Sequence, residues 1–260
     1  MANWQEKLPV VSQLRPISLN ELNRTALMSR VDQKFVFPFS MLSTILAELG
    51  KHYSVLEIDG KRIFEYDSQY FDTDSLQFYQ DHHNGKPNRL KIRTRKYVDT
   101  GTAFFEVKRK IKGYITEKTR SQFSQEENIT PESFEHLLQP VGIQGDELHP
   151  TLEVFYHRIT LNNEALKERI TIDLGLHFRI HNKSQKMDET VIMEVKQEKI
   201  KRETPAIQLM RAHHIKPLRM SKYVMGMVLL GEVNKSNAFR FKINKIKDQN
   251  TRYGAAGSAY

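Results

Sequence analysis

Residues 89–96 read RLKIRTRK, so Arg89, Lys91, Arg93 and Arg95 recur at every second position, with Leu90, Ile92 and Thr94 between them. On a strand, that period puts the cations on one face and the other residues on the opposite face. The pattern returns along the chain. Glu106, Lys108 and Lys110 share a face in FFEVKRK, Lys118 and Arg120 in EKTR, and Tyr156 and Arg158 in VFYHR. ERITID aligns Arg169 with Thr171 and Asp173, and VIMEVKQ sets Glu194 and Lys196 opposite Met193 and Val195. One wet face is ordinary for an antiparallel strand. Six such faces dominated by Arg and Lys ask for more, because like charges side by side repel. Arginines hold phosphate oxygens in pairs, lysines act as point charges, and a carboxylate can hold a divalent metal that shares those oxygens. The chemistry that fits is the handling of a polyanion with a metal.

These side chains need a sheet to position them. Strands are expected at 31–37, 52–58, 64–71, 88–98, 102–111, 114–121, 152–161, 168–174, 176–181 and 190–197, with Gly85, Gly101, Gly113 and Gly175 as turn signals between them. Helices are expected at 40–50, with Ser40 as its cap and Leu42, Ile45, Leu46 and Leu49 on one face, and at 129–138, 201–213 and 221–230. Residues 1–26 read as a lead-in with a short helix near 19–26, and the end of the tail (NTRYGAAGSAY) as frayed. Closing the sheet into a barrel would aim every charged face at one lumen and leave the apolar faces to be covered outside by helices.

The chain has 260 residues and a formal net charge of +9, which selects anionic partners. With no cysteine, disulfides and thiolate metal sites are excluded. No apolar run approaches the ~20 residues needed to span a bilayer, and the start, MANWQEKLPV, lacks the apolar stretch of a signal peptide. A cytoplasmic protein is the expectation, with a membrane protein partner acting in trans as the possible link to a membrane. The pairs His82–His83 and His213–His214 lack the spacing of a helical zinc site and read as surface or loop residues. The aromatics of FEYDSQYFDTDSLQFY read as core rather than as a base-stacking platform. Charge that points inward also argues against nucleic acid. The basic run IKPLRMSKY reads as a solvated face or as a docking edge for a phosphate entrance. Lys242, Lys245 and Lys247 read as a solvated face or, at most, a membrane or polyphosphate brush.

The segments SRVDQKFVFP, YFDT, RLKIRTRKY, FFEVKRK, EKTR, VFYHR, ERITID, VIMEVK and SKY occur in that order. Over roughly residues 25–230 the chain resembles the polyphosphate-polymerase domain of the vacuolar transporter chaperone (VTC) family, within the CYTH-like triphosphate tunnel metalloenzymes. The resemblance implies an α+β fold, an eight-stranded antiparallel tunnel with helices outside. It also implies transfer of the ATP γ-phosphate to inorganic polyphosphate with Mn²⁺ or Mg²⁺. Lys34, Arg93, Arg95, Lys108, Arg158, Arg169 and Lys222 are the implied catalytic residues. Arg30, Lys91, Lys118, Arg120, Tyr156, Lys196 and Ser221 are the implied substrate-binding residues, and Glu194, Asp32 and Glu106 the metal-binding carboxylates. Asp32 departs from the pattern, since Glu is usual there, and the shorter side chain gives up one methylene of reach. The implied layout is a lead-in over 1–26, a tunnel domain over 27–233 and a partly disordered extension over 234–260. Two alternative readings are a hydrolase of triphosphate or nucleoside triphosphates and a non-catalytic polyphosphate-binding module.

Overall fold

The alternating segments form a single curled sheet. A computed structural model describes residues 4–24, 31–113, 115–124, 127 and 129–256. The chain opens with α1 (Trp4–Lys7), a 3₁₀ turn, β1 (Pro16–Ile17) and α2 (Leu19–Arg24), followed by β2 (Val31–Pro38) and α3 (Leu42–Gly50). Then come β3 (Ser54–Leu56), β4 (Phe64–Asp72), α4 (Gln77–His83), β5 (Arg89–Tyr97), β6 (Thr102–Ile111), β7 (Ile115–Ser124) and α5 (Glu135–Leu138). The remainder is β8 (His149–Asn163), β9 (Glu168–Ile180), β10 (Lys183–Met187), β11 (Thr190–Gln197), α6 (Pro205–Ala212), α7 (Lys222–Leu229) and α8 (Asn237–Ala256). Eight strands pair in the order β2-β11-β9-β8-β4-β5-β6-β7, with β1, β3 and β10 attached at the side.

Among the described residues no ladder joins β7 to β2, so the expected barrel is a curled sheet with a seam. The curl is deep enough to bring Lys108 of β6 within electrostatic reach of Asp32, Lys34 and Glu194 on β2 and β11. The segment before α7 is tied to the edge strand β2, where Leu218 N–H donates to the Lys34 carbonyl at 2.8 Å.

Apolar side chains on the convex face of β2, β8, β9 and β11 pack under α3, α6 and the N-terminal segment. Leu42, Ile45, Leu46 and Leu49 of α3 are all buried there. A second convex cluster joins Ile92, Phe105, Val107 and Phe123 to Phe134 and Leu138 of the segment before β8. The third cluster differs from expectation. It lies on the concave face, where α7 and α8 cover Val36, Leu152, Val154, Phe178 and Ile192. Helices therefore lie on both faces, and the concave face is half apolar and half cationic. Phe239, Ile243 and Ile246 of α8 are buried in this cluster, and the helix runs on into the stretch expected to fray, as far as Ala256.

Gly175 explains another difference. The sequence reads it as a turn between two strands, but β9 runs unbroken through it. Its φ is +59°, and a Cβ there would come within 2.6 Å of the Trp4 ring. The ladder between β8 and β9 slips at this point, between Phe155 and His157. The slip reverses the parity of β9, so Leu176 and Phe178 share the concave side with Thr171 and Asp173. The helix expected at 129–138 is a 3₁₀ turn over Pro131–Phe134 followed by one α-turn. The cap position of α3 belongs to Met41, because residues 39–41 form a 3₁₀ turn. No helix among the described residues is long and apolar enough to cross a membrane.

The seating of α7 depends on Gly226. A Cβ there would lie 2.6 Å from Leu152 Cδ2 and 2.7 Å from Phe178 Cδ1, both fully buried side chains. Gly226→Val gains a few tenths of a kcal/mol in helix propensity and loses about 1–3 kcal/mol to overpacking. The variant should melt several degrees below the parent in a thermal scan, and an unchanged midpoint would mean that α7 is not packed this way.

Candidate functional site

The cationic half of the concave face has two parts that differ in how their charge is balanced. In the first part, buried carboxylates fix the cations. Arg158 Nε and Nη2 donate to the two oxygens of Asp173 at 2.6 and 2.9 Å, and Lys222 Nζ donates to the same carboxylate. Lys222 sits over the Tyr156 ring at 4.5 Å, and Arg158 over the Tyr66 ring at 4.9 Å. Arg93 donates to Glu106 Oε2 from Nε and Nη2 at 2.8 and 2.7 Å, and to the Tyr70 hydroxyl at 3.0 Å. Lys118 takes the other oxygen of Glu106. Burial alone would raise the carboxyls of Asp173 and Glu106. The neighbouring cations overcome it and hold both well below the usual carboxylate range. Burial would likewise raise the Tyr70 phenol, but Arg93, Arg95 and Lys222 pull it below its ordinary value.

The second part lacks such balance. Lys91 and Lys108 face each other directly across the β5–β6 ladder, and Arg89 faces Lys110 one same-face step further on. None of the four makes an ion pair among the described residues, whereas Lys34 is paired to Glu194 at 2.8 Å. Burial, then Lys108 and Lys34, push the Lys91 ammonium well below the usual lysine range. Burial also lowers Lys108, and Asp32 and Glu194 recover only part of the loss. Two lysines pressed together in this way can take up the charge of an anion.

The remaining predicted residues fall around these two parts. Arg95 is buried beside Ser68 Oγ at 3.4 Å and over the Tyr66 ring at 5.6 Å. Lys196 donates to Thr171 Oγ1 at 2.8 Å. Arg120 lies 4.3 Å over the Phe104 ring. Arg169 is on the same face, but its guanidinium donates to the Leu22 carbonyl of α2. Arg30 lies outside the described residues. The Tyr156 hydroxyl and Ser221 Oγ are buried without a hydrogen-bond partner, which leaves two polar atoms for a ligand. His82 and His83 are on α4 rather than in a loop. His82 is half-buried, and burial with the field of Lys91, Arg89, Lys110 and Lys108 keeps it neutral.

The three carboxylates expected to bind metal are not gathered together, and no group of three or more acidic or histidine side chains is placed to hold an ion among the described residues. Glu106 does not fit, because both its oxygens are taken by Arg93 and Lys118. Glu194 and Asp32 do fit. They lie on the same face of the paired strands β2 and β11, one same-face step apart, and Lys34 engages one oxygen of Glu194, so a divalent cation can sit between the two carboxylates. Burial opposes ionisation of Glu194, but Lys196 and Lys34 outweigh it and hold its carboxyl well below the usual range. Mg²⁺-type sites use one or two protein carboxylates and complete their shell with phosphate and water.

Several members of the site carried little signal in the sequence. Tyr66 and Tyr70 read as core, but with Ser68 between them at alternate positions of β4 they also border Arg93 and Arg95. Asp173 shares a face with Arg169 in the sequence without showing that it holds Arg158 and Lys222. Asp72 joins distant elements. It accepts from Phe78 and Tyr79 N–H at the start of α4, each at 2.8 Å, and from the Tyr223 hydroxyl of α7 at 2.6 Å.

A family model described as the VTC domain matches residues 29–231. No curated protein matches the chain. Two solved structures share its architecture at 13 % identity. One is bh2851 from Bacillus halodurans, described as a candidate adenylate cyclase, with a TM-score of 0.52 over 75 % of this chain and 95 % of that one. The other is HpAC1 from Hippeastrum, a candidate adenylyl cyclase with a dominant triphosphatase activity, with a TM-score of 0.51 over 77 % of this chain and 96 % of that one. Likeness at this identity carries the fold alone, the triphosphate tunnel architecture.

Lys118 makes the charge balance measurable. Burial, with Arg93 and Arg95 nearby, pushes its ammonium down to about 8 despite Glu106. A bound anion favours the protonated form, so the complex takes up a proton wherever the free protein lacks it. From about pH 7 to about pH 9, affinity for tripolyphosphate should fall about tenfold through Lys118 alone. A Lys118→Met variant should have a flatter profile, measured by calorimetric titration. In the unliganded protein the sign is opposite. The unfolded chain holds more protons between about 8 and the ordinary lysine value, so this residue makes the fold more stable as pH rises through that window.

Proposed function

The chain belongs to the VTC domain family, and from that premise we propose that it is a metal-dependent polyphosphate polymerase, moving the γ-phosphate of ATP onto a growing chain of inorganic polyphosphate. The observation that carries this reading is Lys91 set against Lys108 beside Lys34 on the concave face. Cations left so far from neutrality call for a ligand with several negative charges in line, and a phosphate chain supplies them.

In the reaction, a terminal oxygen of the chain attacks the γ-phosphorus of ATP. The bond from that phosphorus to the bridging oxygen breaks, ADP leaves with the electron pair, and the chain is one phosphate longer. The nucleophile is already anionic, so no strong base is needed, and positioning with charge neutralisation does most of the work. Arg93 and Arg158, braced by Glu106 and Asp173, present guanidinium forks with little freedom left to lose. Arg95, Lys108, Lys34 and Lys222 supply the charge around them. The Tyr156 and Ser221 hydroxyls, buried and without partners, are donors for phosphate oxygens. Mn²⁺ or Mg²⁺ on Glu194 and Asp32 would draw off charge from the phosphate oxygens.

The runner-up is transfer of the same phosphate to water. It is favoured by the adjacent Asp32 and Glu194 carboxylates, which could orient a water molecule as well as a metal. A binding module without catalysis would have no need of the Lys34–Glu194 pair, which is in place at 2.8 Å.

Purified protein given ATP with Mn²⁺ or Mg²⁺ should produce chains visible on a polyphosphate-stained gel. Glu194→Gln should lower the rate by about 10–100-fold or more. Free phosphate without chains would transfer the reading to hydrolysis, and no turnover of ATP at all would reject catalysis by this chain alone.

A further inference from the structure

We propose that Arg89, Lys110, Arg219 and Lys242 form a second, outer anion site at the mouth of the cationic chamber, which holds the part of a linear polyphosphate that projects from it. The inference rests on the reading above that the chamber holds polyphosphate. Arg89 and Lys110 face each other across the β5–β6 ladder, one same-face step, about 7 Å, beyond Lys91 and Lys108. Both are half-buried, and Arg89 is steadied by donating from Nη1 to the Lys86 carbonyl at 2.6 Å. Arg219 is exposed on the segment that Leu218 ties to the Lys34 carbonyl at 2.8 Å. Lys242 of α8 donates to the Arg219 carbonyl at 3.0 Å and lies 4.3 Å over the Phe239 ring.

The four cations thus come from three separate parts of the chain. Apart from burial, Arg219 is the first influence that lowers Arg89 and Lys242, and it acts on Lys110 together with Arg89. None of the four makes an ion pair with a carboxylate among the described residues. Phe239, Ile243 and Ile246 bury the inner side of α8 and fix where Lys242 stands. That helix begins at Asn237, past residue 231 where the family match ends. An anionic membrane is the competing partner, because Phe241, next to Lys242, is 74 % exposed. The half-buried Arg89 and Lys110 favour a thin linear chain over a flat bilayer surface.

The test is an Arg219→Glu, Lys242→Glu double variant, titrated with tripolyphosphate and with a polyphosphate of several tens of phosphates. The parent should bind the long chain more tightly than the short one. In the variant, long-chain affinity should fall roughly tenfold while tripolyphosphate affinity stays within about twofold. Equal loss for both lengths, or loss for neither, overturns the outer site and leaves the chamber reading standing. If the parent binds neither length, the chamber reading fails and the outer site with it. Sedimentation with phosphatidylserine vesicles supplies the remaining arm. If the variant loses vesicle binding and keeps its long-chain affinity, the patch is a membrane face and the inference is overturned.

Discussion

The β5–β6 ladder holds Lys91 opposite Lys108 and Arg89 opposite Lys110, and backbone pairing fixes the roots of all four side chains. Opposed side chains in a sheet start about 5 Å apart at Cβ. Two unit charges held that close would repel by roughly 3 kcal/mol at an effective dielectric of about 20, an upper bound because the long stems can splay. Burial adds to the cost, and the convex side cannot relieve it, because Ile92 and Val107 are locked into the apolar cluster beneath. The fold therefore holds an electrostatic debt on its concave face. On the proposed function, a phosphate chain entering that face would add attractions to every one of these cations and offset their mutual repulsion.

The chamber's carboxylates form two kinds of site. Glu106 and Asp173 are each saturated by one arginine and one lysine, and they act as internal counter-ions that hold guanidinium groups in place. Glu194 gives one oxygen to Lys34 at 2.8 Å, and Asp32 lies one same-face step away on the neighbouring strand, opposite Lys196, so these two carboxylates are close enough to share a metal. The apolar half of the concave face is equally necessary. The α7 helix packs its Gly226 against Leu152 and Phe178, and this seating places Lys222 on Asp173 and over Tyr156.

The period-two alternation made the strands and their charged faces legible, and Arg93, Lys108, Arg158 and Glu194 all lie on the face it assigned them. Pattern alone could not show which cations are neutralised. Glu106 looks like a metal ligand in FFEVKRK, and only the fold reveals that Arg93 from one neighbouring strand and Lys118 from the other both claim it. Gly175 misled for a related reason. A glycine at positive φ serves a bulge as well as a turn, and the deciding partner, Trp4, is far away in sequence. The concave packing of α8 was also hidden, because its apolar residues are sparse and separated by lysines. The open seam follows from strand pairing, which no single segment encodes.

The most direct measurement is the thermal midpoint of Lys91→Met beside the parent, each with and without tripolyphosphate. Methionine keeps the stem and removes the charge. If the cation pair is a strained seat for an anion, the variant melts above the parent without ligand, by about 2–4 °C for each kcal/mol relieved, and its ligand-induced rise is much smaller. A variant that melts lower without ligand, and that gains as much from tripolyphosphate as the parent does, would contradict the account.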